Sequence, residues 1–253
     1  MNVIIIGSGN VAFVLGKLMR RSGINILQVK SRNSENGKAL SELLECRFSL
    51  LSELNDVRAD LILMAVSDNA LTPHPDFIQH TKIPIIHTAG SVPAGVLSPY
   101  SSSYGVLYPL QTLRKEMNEI PEIPFLVDAS DEKTLIMIEQ LAGKLSPLVR
   151  RADDATRHKI HLAAVFVNNF SNHLFTLAAD YCNKEQLDFK MLLPLIQETV
   201  NRLHFFAPEK VQTGPAIRND ITTMEKHLSL LDQYPELKKM YLTLSSSIIE
   251  HQR

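Results

Sequence analysis

The chain has 253 residues, which is more than one typical domain and predicts two. Its 26 Lys and Arg balance 27 Asp and Glu, so the formal charge of -1 offers no field to attract a nucleic acid. Apolar residues make up 45%, and the two cysteines, Cys46 and Cys182, match no metal-ligand spacing. We therefore expect a folded protein of a reducing compartment, without disulfides or a zinc site.

Short apolar runs alternate with amphipathic segments in the first 152 residues. The predicted strands lie at 3–6, 26–29, 61–66, 83–87, 104–108 and 125–128. This alternation predicts βαβ units and a mainly parallel sheet. The runs at 3–6 and 61–66 are continuously apolar, as expected of central strands covered on both faces. The first run is too short to cross a bilayer and has no basic flank, so we expect a cytoplasmic protein with no membrane partner.

Strand signals stop after a predicted helix at 132–145 and the run P-L-V-R at 147–150. Four helical segments follow, at 154–182, 189–206, 220–231 and 235–251. We therefore predict an α/β domain over 1–152, with a doubly wound and mainly parallel sheet, and a second, all-helical domain over 153–253. The segment 154–182 is apolar nearly all round, which is typical of a buried helix. Either a homodimer interface or the other three helices must cover it.

The run G-S-G-N-V-A at 7–12 follows the first strand and opens a helical pattern, which is the context required of a dinucleotide-binding fingerprint. Gly7 permits the tight turn, Gly9 lets a pyrophosphate approach the backbone, and Ala12 keeps the helix close to the strand. The helix N-terminus offers unpaired N–H groups to the phosphates. The predicted cofactor-binding residues here are Gly7, Ser8, Gly9, Asn10 and Val11. The sequence therefore predicts a Rossmann domain.

The second predicted strand ends at Lys30-Ser31-Arg32-Asn33, where NAD-binding domains place an acidic residue for the ribose hydroxyls. A carboxylate there would repel a 2′-phosphate, whereas Arg32 can bind it through two hydrogen bonds. Ser31 and Asn33 can donate further hydrogen bonds. We therefore predict NADP as the cofactor, with a solvated turn as the alternative role for these residues.

Polar residues just past the other strand ends are further candidates, because ligands bind outside the carboxyl ends of the strands in doubly wound sheets. The backbone after 61–66 is predicted to border the nicotinamide ribose through Ala65, Val66 and Ser67, although Ser67 or Asp68 can instead cap the next helix. His87 and Thr88 leave the strand at 83–87, where small neighbours would let the nicotinamide ring lie close. A structural role is the alternative for His87.

Three further groups complete the predicted site. Tyr108 ends the strand at 104–108 and Gln111 follows it, and both can donate hydrogen bonds to a substrate carbonyl. A place in the core is the alternative for Tyr108. At 100° per residue, four polar residues of the first long helix share one stripe on its surface: Arg157, His161, Asn168 and Asn172. Burying polar groups is costly unless they are paired or used, so the stripe is predicted to face the cleft, with a partner helix as the alternative. Arg218 near the domain junction can bind a substrate carboxylate or lie on the surface.

The chain resembles a bacterial family that pairs a Rossmann-like NADP oxidoreductase domain with a helical C-terminal domain of unknown function. The resemblance spans essentially the whole chain and rests, in this order, on G-S-G-N-V-A, S-R-N, H-T-A-G-S, Y-P-L-Q-T and T-G-P-A-I-R-N-D. The chain is more distantly similar to deazaflavin-dependent NADP oxidoreductases, pyrroline-5-carboxylate reductase, ketopantoate reductase and β-hydroxyacid dehydrogenases. In those relatives the helical domain often forms the dimer interface, and many carry His where this chain has Tyr108.

The resemblance implies nicotinamide chemistry. We predict an NADP-dependent oxidoreductase that passes a hydride between the nicotinamide and a small carbonyl or imine substrate. His161 or His87 would exchange the proton, and Asn168 and Gln111 would orient the polar atom. The alternative is a non-catalytic NADP(H)-binding redox sensor or interaction protein. A methyltransferase is a third class, but Arg32 stands where such enzymes usually have an acidic residue.

Overall fold

The computed structural model describes residues 1–51, 58–71, 80–117 and 119–251. Within these residues, one sheet contains the strands β1 (Asn2–Ile6), β2 (Asn25–Ser31), β3 (Arg47–Leu50), β4 (Leu61–Met64), β5 (Ile85–His87), β6 (Tyr104–Pro109), β7 (Phe125–Ala129) and β8 (Val149–Arg151). The helices that accompany the sheet are α1 (Asn10–Arg21), α2 (Ser34–Leu44), α3 (Asp68–Leu71) and α4 (Glu132–Leu145). A 3₁₀ turn at Ala94–Leu97 follows β5.

The strands lie in the order β3-β2-β1-β4-β5-β6-β7-β8, and every neighbouring pair is parallel except β6 and β7. This arrangement confirms the predicted doubly wound, mainly parallel sheet. The chain proceeds from β1 to β2 on one side and later to β4 on the other. The strand order therefore reverses between β1 and β4, the position at which such sheets bind nucleotides.

The central position of β1 and β4 explains their continuous apolar sequences. Alternate side chains of each strand point to opposite faces, and both faces are covered. One apolar cluster contains Val3 and Leu63 and continues into α1, α2 and α4. The other contains Ile4 and Met64 and continues into α3 and the segment after β5. The strand β3 was not predicted, because its four residues include the polar Arg47 and Ser49 and form no continuous apolar run.

The C-terminal part has helices and turns but no strand among its described residues, 154–251. Its elements are α5 (Asp154–Ala164), a π-helical segment (Val165–Phe170), α6 (Ser171–Lys184), a 3₁₀ turn (Phe189–Leu192), α7 (Leu193–Arg202), α8 (Pro208–Val211), α9 (Ile221–Leu230) and α10 (Pro235–Glu250). The second domain is all-helical, as predicted. Two details differ from the prediction: the π-helical segment interrupts the helix predicted over 154–182, and α8 forms where only a turn was expected.

The chain divides into two compact units, Met1–Val167 and Asn168–Arg253. The change from strand to helix falls between β8 and α5, close to the boundary predicted at residue 152. The compact units divide later, at the π-helical segment, so α5 belongs to the first unit. As a division between functional domains, residue 152 remains a prediction. No helix among the described residues is long and apolar enough to cross a membrane.

Candidate active site

The turn after β1 has a backbone that only glycine fits. Gly7 has φ +118°, and a Cβ there would collide with the carbonyl oxygen of Ala65. Glycine alone adopts this φ at no steric cost. A Cβ built on Gly9 would meet no atom within 4 Å, so the space in front of the turn is open. The turn thus combines a tight packing contact on one side with room for a ligand on the other.

The N-terminus of α1 fits a phosphate group. Gly9 is its N-cap, no side chain caps it, and no acidic residue lies in its first turn. Its first N–H groups and the positive end of its dipole are therefore left for an anion. Ser8, Gly9, Asn10 and Val11 all reach the surface at this end of β1. The predicted fingerprint residues thus lie together in an arrangement suited to a dinucleotide pyrophosphate.

Ser31 and Asn33, at the end of β2, make hydrogen bonds within the protein that the sequence did not predict. Ser31 is buried, its hydroxyl lies 2.7 Å from the hydroxyl of Ser8, and it accepts the N–H of Asn33 at 3.1 Å. Asn33 is the N-cap of α2 and accepts the N–H of Asn36 at 2.9 Å. The Ser31 hydroxyl therefore joins the two loops, and its role toward a ligand stays a prediction. Arg32 lies between them with its side chain exposed.

The backbone after β4 borders the fingerprint turn, but Ser67 has a local structural function. Ala65 is buried and donates its N–H to the carbonyl of Ile6 at 2.8 Å, and Val66 is partly buried beside Gly7. Ser67 is exposed, and its carbonyl accepts the N–H of Ala70 at 2.8 Å as α3 begins. The structure therefore brings Ala65 and Val66 to the turn and places Ser67 at the start of α3.

His87 is a buried structural residue in this fold. It is completely inaccessible, its Nδ1 accepts the N–H of Ala89 at 3.2 Å, and its Nε2 lies 3.3 Å from the carbonyl oxygen of Pro93. Burial, and then the nearby Arg157 guanidinium, lower the pKa of His87 to about 4. The ring is therefore neutral near pH 7 with both nitrogens engaged. Its position speaks against the predicted role as proton donor. Thr88 is likewise buried.

Tyr108 and His161 form the pair most suited to proton exchange. The Tyr108 hydroxyl lies 2.9 Å from His161 Nδ1, and the two rings meet edge to face with centroids 5.9 Å apart. Burial raises the pKa of Tyr108, and Asp68 raises it further, so the hydroxyl stays protonated and can donate to Nδ1. Among the described residues, His161 Nε2 has no hydrogen-bond partner.

Gly90 makes this pair possible, and sequence analysis gave it no specific role. A Cβ on Gly90 would lie 2.8 Å from Cζ of Tyr108 and 3.0 Å from Nδ1 of His161. Contacts this short would force one of the rings to move. Gly90 lies in the loop that follows β5, three residues after His87, and Tyr108 lies at the end of β6. The signal in the sequence was the run of small residues after His87, which was attributed to the nicotinamide ring.

Arg157 connects α5 to the loop after β5. Its guanidinium is completely buried, and Nη2 donates to the carbonyl of Val92 and to Oδ1 of Asp154, both at 2.6 Å. The same carboxylate oxygen accepts the N–H of Ala94 at 3.0 Å. Arg157 lies one helical turn before His161. The contacts of Arg157 therefore hold the helix that carries His161 against the loop that carries Gly90.

The other predicted site residues are not shown to join this pair. The amide of Gln111 accepts the N–H of Thr112 at 2.9 Å and donates to the carbonyl of Glu122 at 3.5 Å. Asn168, Asn172 and Arg218 are exposed and belong to the second compact unit. The predicted stripe assumed 100° per residue, which fails across the π-helical segment because a π-helix has more residues per turn. Only Arg157 and His161 retain the expected spacing.

Comparison with known proteins extends this description. Residues 123–248 match the model of a domain of unknown function, DUF2520, and no curated protein matches the sequence. A solved structure from Bacteroides fragilis, provisionally named an NADP oxidoreductase, shares 37% identity over 98% of both chains with a TM-score of 0.90. A 1-pyrroline-5-carboxylate reductase from Streptococcus pyogenes shares 13% identity over 99% of this chain and 98% of its own, with a TM-score of 0.63.

A reductive aminase from Aspergillus terreus, solved with NADPH and ethyl-5-oxohexanoate, shares 15% identity over 100% of this chain and 99% of its own, with a TM-score of 0.67. At such low identities, the reductase and the aminase show the fold alone.

The fold and the fingerprint turn define a Rossmann-type dinucleotide-binding protein. The match to the Bacteroides protein is much closer, and it confirms the resemblance found in the sequence. The chain belongs to the family of Rossmann-like NADP oxidoreductases with this helical C-terminal domain.

Proposed function

We propose that the protein is an NADP(H)-dependent oxidoreductase that transfers a hydride between the nicotinamide and a small carbonyl or imine substrate. The observation that carries this proposal is the hydrogen-bonded pair of Tyr108 and His161 beside the fingerprint edge of the sheet. The strands β1, β4, β5 and β6 are parallel, so their carboxyl ends lie at the same edge. The pair that can exchange a proton and the turn that can bind a dinucleotide therefore lie at the same edge of the sheet.

The residues of the first unit fit the cofactor. Gly7 permits the tight turn, Gly9 leaves room for the pyrophosphate to approach the backbone, and the uncapped N-terminus of α1 offers N–H donors to it. Arg32 would bind the 2′-phosphate, since no carboxylate occupies the end of β2. When bound, the nicotinamide would supply or accept the hydride at C4.

The proton would move through His161. In its protonated form His161 carries a proton on each ring nitrogen: Nδ1 would donate to the Tyr108 oxygen, and Nε2 has no partner among the described residues. His161 would give the Nε2 proton to the carbonyl oxygen or imine nitrogen as the hydride arrives and would itself become neutral, and the reverse reaction would return the proton. Tyr108 would orient the ring and select the tautomer, as partners of catalytic histidines commonly do.

The names of the structural relatives support a carbonyl or imine substrate. The Streptococcus protein is named for the reduction of a cyclic imine, and the Aspergillus protein was solved with a keto ester. Both classes need a hydride at carbon and a proton at the adjacent heteroatom. The pair of Tyr108 and His161 suits that requirement, because an N–H of a protonated imidazole can donate to oxygen or to nitrogen.

Calorimetry with NADPH and NADH tests the cofactor. We expect NADPH to bind at least about tenfold tighter, because a charge-assisted contact to the 2′-phosphate contributes about 1.5–3 kcal/mol. Arg32→Ala should remove most of this preference.

Turnover is then measured with a panel of keto acids, cyclic imines and deazaflavin. Equal affinities in the wild type would contradict the NADP assignment, while tight binding without turnover of any compound would favour a redox sensor.

A further inference from the structure

The segment at 110–117 after β6 crosses the start of α1. The N–H of Lys115 donates to Oδ1 of Asn10, the first residue of α1, at 3.1 Å. The ammonium of Lys17, further along α1, donates to the carbonyl of Lys115 at 3.1 Å. The backbone of Lys115 is thus bonded to α1 on both sides. This position lies directly beside the fingerprint turn, although Lys115 is far from that turn in the sequence.

The Lys115 side chain extends from α1 to α2. Its Nζ lies 5.8 Å from the centroid of the Phe13 ring and donates to Oδ1 of Asn36 at 3.3 Å. Asn36 lies in the first turn of α2, next to the N-cap Asn33 and the exposed Arg32. The Lys115 ammonium is therefore held at the N-terminus of α2, on the side of the turn where the end of β2 meets the helix.

The charges around this position favour an anion. The N-terminus of α2 is the positive end of a helix dipole, where a cation is unfavourable by itself. In the described part of the chain, no ion pair involves Lys17, Arg32 or Lys115. Glu35 is the acidic residue of that first turn, and it too makes no ion pair there. A bound phosphate would lower the repulsion between these cations and the helix end.

We propose that Lys115 and Arg32 together form the binding site for the 2′-phosphate of NADP(H). This inference rests on the proposed cofactor and adds a residue that lies outside the fingerprint. The pyrophosphate of a dinucleotide binds at the N-terminus of α1, whereas the ribose 2′ position lies at the end of β2. The Lys115 ammonium contacts α2 beside the end of β2, so its position favours the 2′-phosphate over the pyrophosphate.

Calorimetric titration with NADP⁺ and NAD⁺ tests the inference, because these two ligands differ only in the 2′-phosphate. The variant is Lys115→Met, which keeps the apolar part of the side chain over Phe13 and removes the charge. We expect NADP⁺ affinity to fall about tenfold and NAD⁺ affinity to change less than about twofold. The NADP⁺ affinity of the variant should also depend less on salt, since one phosphate contact is lost.

Lys133→Met is the matched control. Lys133 lies in the first turn of α4, which follows β7, and β7 runs antiparallel to β6. The control therefore removes the same charge at the opposite edge of the sheet and should leave both affinities unchanged. Equal weakening of NADP⁺ and NAD⁺ by Lys115→Met would overturn the 2′-phosphate assignment, as would no change for either ligand. If the wild type itself fails to prefer NADP⁺, the proposed cofactor is wrong and the inference falls with it.

Discussion

Tyr108 lies at the end of a strand and His161 lies on a helix, and the two residues are 53 positions apart in the sequence. Tyr108 is half-buried, and its raised pKa keeps the hydroxyl protonated near pH 7. His161 has one nitrogen bound to that hydroxyl. Gly90 leaves the space in which the two rings meet. The chemical role that we assign to His161 thus depends on two residues that the sequence does not mark as its partners.

Replacing His161 with Ala should lower kcat by about 10²–10⁴-fold, the usual contribution of a general acid. NADPH affinity should remain nearly unchanged, because the hydrogen bond that the structure shows for His161 goes to Tyr108 and not to the fingerprint turn. Tyr108→Phe should lower kcat about tenfold, since it removes the orienting hydrogen bond and keeps the acid. Steady-state kinetics and calorimetry measure the two effects.

A second pair of the same kind provides the control for this prediction. His227 Nδ1 lies 2.9 Å from the Tyr241 hydroxyl within the helical unit, far from the fingerprint in the sequence. Tyr241→Phe should leave kcat unchanged, so it separates loss of a Tyr–His hydrogen bond from loss of catalysis. Unchanged kcat in His161→Ala would remove His161 from the proposed mechanism.

At the scale of elements, the buried Arg157 fixes α5 against the loop after β5. Two of its nitrogens, Nε and Nη1, are buried without a hydrogen-bond partner in the described structure, which adds to the cost of burying the guanidinium. The bonds from Nη2 to Val92 and Asp154 offset part of this cost. The position of α5, and with it that of His161, is therefore sensitive to Arg157.

Arg157→Ala should lower the free energy of unfolding by about 3 kcal/mol, because it leaves a cavity and removes the partner of the Val92 carbonyl and the Asp154 carboxylate. Urea denaturation at fixed protein concentration measures this change. Arg151→Ala serves as the comparison, since Arg151 makes two ion pairs at the surface, with Glu132 and Glu139. Exposed ion pairs contribute little, so its effect should be much smaller. Similar losses for both variants would contradict the role of burial.

The first long helix shows the limit of periodicity arguments at this scale. Its start at residue 154 was predicted, and the structure shows Asp153 as its N-cap, accepting the N–H of Thr156 at 2.8 Å. The π-helical segment was not predicted. Apolar residues lie on nearly every side of this stretch, so their pattern is compatible with either helix type, and the predicted polar stripe simply assumed 100° per residue throughout.

On the scale of the whole molecule, the second compact unit has few buried side chains among its described residues and so forms no hydrophobic core of its own. Among residues 168–251, only Cys182, Ala216, Leu231 and Ser245 are buried. The first long helix exposes 60% of Leu162, 60% of Phe166 and 76% of Val167. The sequence left two alternatives for covering this helix, a second copy or the other three helices, and both stay predictions. A small unit with so little buried apolar surface is not expected to be stable alone.

We therefore expect a homodimer in which a second copy covers these helices. Light scattering at micromolar concentration should give twice the chain mass. Val167→Glu should weaken association, because it places a charge on the exposed apolar helix. Leu148→Glu, at an exposed apolar position before β8, is the matched control and should remain dimeric. A wild-type monomer under these conditions would contradict the proposal.

Local patterns in the sequence determined the sheet class, the fingerprint turn and the helical second half. Each of these depends on neighbours along the chain: apolar residues of one strand, glycines of one turn, or the repeat of one helix. The predicted bounds of β1, β2, β6 and β7 agree with the structure to within two residues at each end. The role proposed for Arg32 likewise rests on its place directly after β2.

The tertiary structure alone decided which polar groups meet. It paired Tyr108 with His161, engaged both nitrogens of His87 inside the core, and brought Lys115 to α2. The function of a titratable side chain depends on its burial and on the charges around it, and those come from distant segments joined by strand order. A sequence pattern identifies the candidates at the strand ends, but only the packing of those ends separates an exposed donor from a buried one.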